Sequence, residues 1–292
     1  METVNYVELL KNDEAYTNVQ KIESGSFGAV YKATRVDSEE IVAVKVLKYE
    51  KDAERLEKNK ESMKREIELL SVLRHKNIIQ ILNSNINSCR LVLEFAEGGD
   101  LRDKILAMKG LDEMYARHVF KQVVEASFYL HDQQIQHNDI KPENIILMTN
   151  DALPVAKLID FNLSCSFTLD SCDGTVAYAA PEKLQAKIAV KDGSRSRQDR
   201  WMSRCTEKVD VWAIGVSLFE SCTDKVMFSS DNPKEVLWMI NRRKLSKRLD
   251  SLKNEFSFGL LDFLKVCLNQ NHTIRARVDE LRCHIWLKII PK

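Results

Sequence analysis

A chain of 292 residues with 44 lysines and arginines against 43 aspartates and glutamates carries a formal net charge of +1, and 44% of its residues are apolar and 30% charged. This composition excludes a disordered or membrane-embedded chain, and no global field draws it to nucleic acid or anionic lipid. No apolar run is long enough to span a bilayer, and Met1-Glu2-Thr3-Val4-Asn5 has neither the basic nor the hydrophobic region of a signal peptide. The seven cysteines include no C-x-x-C pair, so reduced thiols in a cytoplasmic or nuclear protein are expected.

Residues 1–19 are polar and read as a short helical or irregular extension. Strand-like segments follow to about residue 47, and the β-branched run Ile41-Val42-Ala43-Val44-Lys45-Val46-Leu47 predicts a strand. Residues 50–74 are highly charged but carry a helical stripe of Met63, Ile67 and Leu70, with Leu73 at its edge. Arg90-Leu91-Val92-Leu93-Glu94-Phe95 predicts another strand, and Gly98-Gly99-Asp100 interrupts it. Beyond that point Ala116, Val119, Phe120, Val123, Val124 and Leu130 recur at helical spacing. A strand-rich first third before a helix-rich remainder predicts an α+β chain of two lobes, joined near residues 94–99.

Six segments carry candidate chemistry. In Ile22-Glu23-Ser24-Gly25-Ser26-Phe27-Gly28-Ala29-Val30 two glycines let a turn offer its N–H groups to phosphate, although such a pair also suits an ordinary hairpin. Lys45 stands at the end of its strand, where burial requires an acidic partner such as Glu66; snorkelling at a sheet edge is the alternative. In Gln136-His137-Asn138-Asp139-Ile140-Lys141-Pro142-Glu143-Asn144, Asp139 can accept a proton from a hydroxyl, Lys141 can steady a phosphate and Asn144 can hold a metal. Pro142 keeps this stretch out of a regular helix. Asp160 closes the apolar run Leu158-Ile159 and suits Mg²⁺ bridging phosphates. Gly174-Thr175-Val176-Ala177-Tyr178-Ala179-Ala180-Pro181-Glu182 and Asp210-Val211-Trp212-Ala213-Ile214-Gly215 complete the series. All six in this order are not accidental.

From about residue 20 onward the chain resembles the eukaryotic protein kinases of serine/threonine type. Gly98-Gly99-Asp100-Leu101-Arg102-Asp103-Lys104-Ile105 is closest in flavour to the calcium/calmodulin-dependent group. The resemblance implies a two-lobed fold: an antiparallel β-sheet lobe with one main helix over 20–96, and a mostly helical lobe over 97–292. It implies ATP and Mg²⁺, with Mn²⁺ as a substitute, and a protein substrate. Lys45 then holds the α/β-phosphates and pairs with Glu66, which fits the spacing better than Glu68. Leu93 is the gatekeeper, and the backbones of Glu94 and Ala96 bond adenine. Val30, Ala43 and Ile146 sandwich the base, under a loop of Ile22, Gly25 and Gly28. Asp139 is matched to the catalytic base, Asn144 and Asp160 to metal ligands, and Thr175 to the threonine that steadies Lys141. Glu182 pairs with Arg275, while Leu70, Ile81, His137 and Phe161 stack as a column anchored by Asp210.

Three positions depart from the family. Glu23 replaces the first glycine of G-x-G-x-x-G, which implies weaker ATP affinity. Asn138 replaces the arginine of His-Arg-Asp, so a phosphate at Ser164, Ser166, Thr168 or Ser171 has lost its principal charge partner. That implies constitutive activity or activation by a partner. Asn162 replaces the glycine of Asp-Phe-Gly; Asn is the next most tolerant residue of left-handed backbone. A basic insert at about 187–206, with Lys191, Arg195, Arg197, Arg200 and Arg204 against Asp192 and Asp199, reads as a solvated loop or as a docking site for an acidic partner. Nucleic acid has little support beyond this local charge. With the chain ending just past Cys283-His284-Ile285-Trp286-Leu287, no calmodulin dependence is expected. Asp100 and Glu143 match positions that contact an upstream arginine in basophilic relatives. The alternative is a pseudokinase scaffold, supported by Glu23, Asn138 and Asn162, none of which supplies a proton or a metal ligand.

Overall fold

A computed structural model describes residues 6–25, 28–48, 52–167, 174–192, 206–241 and 244–289. The chain forms two compact units, residues 1–97 with 160–162, and residues 98–159 with 163–292.

The first unit is built on a five-stranded antiparallel sheet in the order β1-β2-β3-β5-β4, with β1 Tyr16–Ser24, β2 Gly28–Arg35, β3 Ile41–Leu47, β4 Ile81–Asn85 and β5 Arg90–Glu94. Alternation decides its faces. Val42, Val44 and Val46 of β3 bury with Ala29, Tyr31, Ala33 and Val92, and Lys45 therefore projects to the other side. Gly28 is required by a close approach, since a Cβ there would lie 2.4 Å from the Val46 carbonyl oxygen. Helix α1 (Tyr6–Lys11) sends Leu10 into this same valine core. Strand β1 starts at Tyr16, inside the stretch expected to be an extension. The Arg90 guanidinium lies 5.2 Å over the Tyr16 ring and pairs with Asp13 at 2.5 Å, so a polar-looking segment is tied to the sheet.

Helix α2 (Ala53–Val72) begins at Asp52, whose carboxylate accepts the Glu54 and Arg55 N–H groups, satisfying two of the unpaired donors at a helix start. Its buried positions are Asn59, Met63, Glu66, Ile67 and Leu70. One carboxylate thus lies inside the apolar stripe.

The second unit holds α3 (Leu101–Met108) and α4 (Glu113–Asp132), capped by Asp100 and Asp112. Two short antiparallel pairs follow: β6 (Ile135–Gln136) with β9 (Cys165–Ser166), and β7 (Ile145–Leu147) with β8 (Ala156–Leu158). Pro142 opens a single 3-10 turn, Pro142–Asn144, rather than merely breaking a helix. Helix α5 (Pro181–Lys191) occupies the first part of the expected insert, and Arg195, Arg197, Asp199, Arg200 and Arg204 lie outside the described residues, as do Thr168 and Ser171. The helix Lys208–Thr223 is buried at every position from Val209 to Cys222 and is the centre of this unit's core. At Gly215 an added Cβ would come within 2.6 Å of the Cys267 Cβ, so helix Phe258–Cys267 packs directly on backbone. Among the described residues Cys222, Cys267 and Cys283 are free thiols. No helix among the described residues is long and apolar enough to cross a membrane.

Candidate active site

The predicted residues divide between the two units. In the first, the Lys45 ammonium donates to both Glu66 carboxylate oxygens at 2.9 and 2.8 Å and to Asp160 Oδ1 at 2.8 Å. Burial works against that charge, but the two carboxylates overcome it and hold the Lys45 pKa above its usual value. Glu66 is nearly inaccessible. Glu68, two residues on, is exposed and only approaches Lys64 at 4.0 Å. Helical phase alone separates them.

Asp160 takes a left-handed backbone, φ 64°, while Asn162 does not. The expected need for a tolerant residue at 162 is therefore corrected. The left-handed turn falls on the carboxylate residue, and Asn162 lies in a right-handed 3-10 turn that any residue enters. The Asn162 carboxamide oxygen is buried without a hydrogen bond among the described residues. Leu70 and Phe161 are both buried.

The nucleotide-loop residues lie on the sheet. Glu23 pairs with Val30, so the position of the missing first glycine is an ordinary strand site near a bulge. Gly25 donates its N–H to the Gly28 carbonyl at 3.0 Å, and Lys48 donates to the Gly25 carbonyl at 2.6 Å. Ser26 and Phe27 are outside the described residues. Ile22 is exposed on β1. Val30 lies opposite Lys45, and Ala43 opposite Leu93. The Glu94 N–H is already engaged, donating to the Gln80 carbonyl at 3.2 Å. Ala96 follows two residues after β5. Ile146 lies in β7 of the second unit, bridged to Asp100.

The second unit assembles Asp139, Lys141, Asn144 and Thr175. Lys141 Nζ is 3.0 Å from Asp139 Oδ2 and donates to Thr175 Oγ1 at 2.9 Å. The Thr175 N–H donates to Asp139 Oδ1 at 2.8 Å, and Asn144 Nδ2 donates to Asp139 Oδ2 at 3.0 Å and to its carbonyl at 2.7 Å. Burial would raise the Asp139 carboxyl, but the Lys141 charge and the Thr175 N–H hold it below the usual range. Asp139 is thus kept ionised. With Asn144 Nδ2 turned to Asp139, its oxygen Oδ1 faces away. That oxygen and the Asp160 carboxylate are each the hard donor that a divalent ion accompanying phosphate takes. Among the described residues no cluster of three or more His, Cys, Asp or Glu has metal-holding geometry. A Mg²⁺ that draws most of its ligands from phosphate and water needs none.

Asp210 supports this loop from below. Its Oδ2 accepts the His137 N–H at 2.9 Å and lies 2.9 Å from His131 Nε2, and its Oδ1 accepts the Asn138 N–H at 2.9 Å. Arg275 grips Glu182 through two bonds of 2.6 and 2.9 Å, both residues buried, with the guanidinium 5.1 Å over the Trp212 ring. Two groups escaped the sequence reading. Lys183 is buried and donates to Asn138. Glu220 accepts from Tyr178 at 2.5 Å and from Arg102 at 2.6 Å. Nothing in a lysine after Pro-Glu, or in a glutamate late in an apolar helix, distinguishes either from a surface residue.

Comparison with known proteins gives the same answer as the geometry. The model of the protein kinase domain matches residues 16–287. The chain is 30% identical over 288 residues to the serine/threonine-protein kinase cds1 of Schizosaccharomyces pombe, covering 95% of this chain and 60% of that protein. It is 31% identical over 280 residues to the hormonally up-regulated neu tumor-associated kinase of Mus musculus (92% and 36%). It is 30% identical over 295 residues to the maternal embryonic leucine zipper kinase of Xenopus tropicalis (98% and 41%). The chain thus spans 60% or less of the length of these relatives. It belongs to the protein kinase domain family, among serine/threonine kinases, a family that uses ATP with a divalent metal.

Proposed function

We propose that this chain is an active serine/threonine protein kinase that transfers the γ-phosphoryl group of ATP to a protein hydroxyl. The observation that carries the reading is Asp139, ionised, buried and held on both carboxylate oxygens by Lys141, Thr175 and Asn144. A carboxylate fixed this way orients the attacking hydroxyl and accepts its proton. Lys141 neutralises charge developing on the transferred group. Lys45, kept cationic by Glu66 and Asp160, grips the other phosphates. Bound ATP supplies the phosphoryl group, and its ion, here Mg²⁺ with Mn²⁺ as a substitute, supplies the positive charge that offsets the phosphate oxygens. Asn144 and Asp160 would hold that ion. Free thiols support a cytoplasmic or nuclear setting.

Transfer is independent of activation-segment phosphate, because Asn138 carries no charge to receive one. Ser164 Oγ already donates to the His137 carbonyl at 3.2 Å. Asp100 and the exposed Glu143 favour a basic residue upstream of the target, although one Asp100 oxygen is committed to the Asp103 N–H. The basic stretch after Lys191 reads first as a solvated loop, and a docking site for an acidic partner is its alternative. The pseudokinase reading loses ground, since Glu23 occupies a regular strand position and Asn162 an ordinary helical turn.

The test is transfer of labelled phosphate from ATP to a serine-containing basic peptide, with Mg²⁺ and Mn²⁺ added separately. Wild type should transfer, and Asp139→Asn should fall by roughly 10²–10⁴-fold. Equal rates in the two proteins would sink the reading. Replacing Ser164, Ser166, Thr168 and Ser171 together by alanine should leave transfer intact.

A further inference from the structure

Lys183 is an anomaly on physical grounds. It sits in the first turn of α5 yet is 3% exposed. Burying an ammonium is costly, and a site needing only packing is better served by an aliphatic side chain. Its amine donates to the Asn138 backbone carbonyl at 3.0 Å and to Asn138 Oδ1 at 3.2 Å. The opposite end of the same carboxamide, Nδ2, donates to the Leu163 carbonyl at 3.2 Å and to Cys165 Sγ at 3.1 Å. The neighbours fix this orientation. Rotating the amide by 180° would set donor against ammonium on one side and oxygen against oxygen on the other.

The carbonyl that Lys183 grips belongs to the peptide joining Asn138 to Asp139. The N–H of that peptide donates to His137 Nδ1 at 3.3 Å. The peptide plane from which the Asp139 side chain departs is therefore held at both ends. One helical turn on, Lys187 donates to the Gly174 carbonyl at 3.2 Å, next to Thr175, whose N–H grips Asp139 Oδ1. Gly174 has φ 127°, and a Cβ there would lie 2.8 Å from the Asn138 carbonyl oxygen and 3.1 Å from Lys183 Nζ, so the two segments are drawn together at this point. Asn138 itself sits at φ 70°, a region asparagine tolerates better than most side chains.

We propose that Lys183 is a positioning residue for phosphoryl transfer, acting through Asn138 to fix the peptide that carries Asp139 and to fasten the following segment at Leu163 and Cys165. The inference rests on the kinase reading of Asp139. It deepens that reading by naming an internal amine that performs the ordering otherwise left to an added phosphate.

The experiment compares wild type, Lys183→Met, Asn138→Gly and the double variant, all as the full chain, in steady-state transfer to the same peptide. Methionine keeps the buried volume without the amine, and glycine keeps the positive φ without the bridge. Each single variant should lose about ten- to a hundredfold in kcat, the range expected for a misplaced reacting group. KM for ATP should stay within about twofold, and the unfolding midpoint should move by no more than about 4 °C. The double variant should be no worse than the poorer single, because both break one link. Stoichiometric binding of a fluorescent ADP analogue reports the folded fraction. Full-rate transfer by Lys183→Met, multiplied losses in the double variant, or loss of nucleotide-binding stoichiometry in both singles would each overturn the positioning role. Absence of transfer by wild type would instead sink the kinase reading itself, and this inference with it.

Discussion

At the scale of single residues, the chemistry is set by which charges are buried together. Asp139 is ionised because the Lys141 charge and the Thr175 N–H outweigh burial. With its pKa depressed, the base stays competent as pH falls through the neutral and mildly acidic range. Its acid limb in kcat should lie below the ordinary aspartate value of about 3.9. Lys141→Met removes the main stabilising charge and should move that limb toward neutral pH in a kcat–pH profile. A limb that stays put would show that Lys141 does not set it. Glu182 and Arg275 are an internal pair of a different kind, each the buried counter-charge of the other. Glu182→Gln leaves a buried guanidinium without its counter-charge and should cost about 3–5 kcal/mol in urea unfolding. A loss below about 1 kcal/mol would reassign Arg275 to its carbonyl partners, Asn269 and Lys208.

At the scale of elements, backbone proximity and side-chain phase decide what each segment can do. The Lys45 strand was legible because β-branched residues alternate across it, and the α2 stripe because Met63, Ile67 and Leu70 recur at helical spacing. Helix α1 was legible only as one of two readings, a short helix or an irregular extension, and only docking onto the valine face shows Leu10 to be core. Leu10→Ala should cost about 2–5 kcal/mol by thermal or urea unfolding, as for a fully buried leucine. A negligible change would mean that α1 is dispensable to the sheet. Helix Lys208–Thr223 meets its neighbour at Gly215, so Gly215→Ala drives a methyl group into Cys267 and Leu268. The helical gain of alanine is outweighed by overpacking, and a net loss of about 1–3 kcal/mol is expected. A stabilised variant would show that the Phe258–Cys267 helix can shift.

Across the whole molecule, positive and negative charges nearly cancel, so pH acts through individual buried groups rather than through net repulsion. Burial raises the Asp210 carboxyl, but His131 and the His137 N–H pull it below the normal range; Asp139 and Asp13 are also depressed. Carboxylates depressed in the folded state contribute stability that is complete above about pH 4, the unfolded value, and lost as pH falls through their folded values. Glu220 acts in the reverse sense: burial raises its pKa, so its cost at neutral pH is relieved on acidification. Melting curves from pH 7 downward should therefore change little at first and fall steeply below about pH 4. Asp210→Asn should melt lower at pH 7 with a shallower acid slope. An unchanged slope would remove Asp210 from the account.

The order of motifs along the chain already determined the kinase family, the identities of Lys45, Asp139, Asn144 and Asp160 as the polar groups of interest, and the choice of Glu66 over Glu68. These depend on residue type and local period, which a linear string contains. The tertiary structure alone decided that Asp160 rather than Asn162 bears the left-handed turn, that Tyr16 already belongs to the sheet, and that Lys183 is buried against the peptide of the catalytic loop. Each of these depends on two segments distant in sequence competing for the same few ångströms. A hydrogen bond from residue 183 to residue 138 leaves no trace in the neighbours of either.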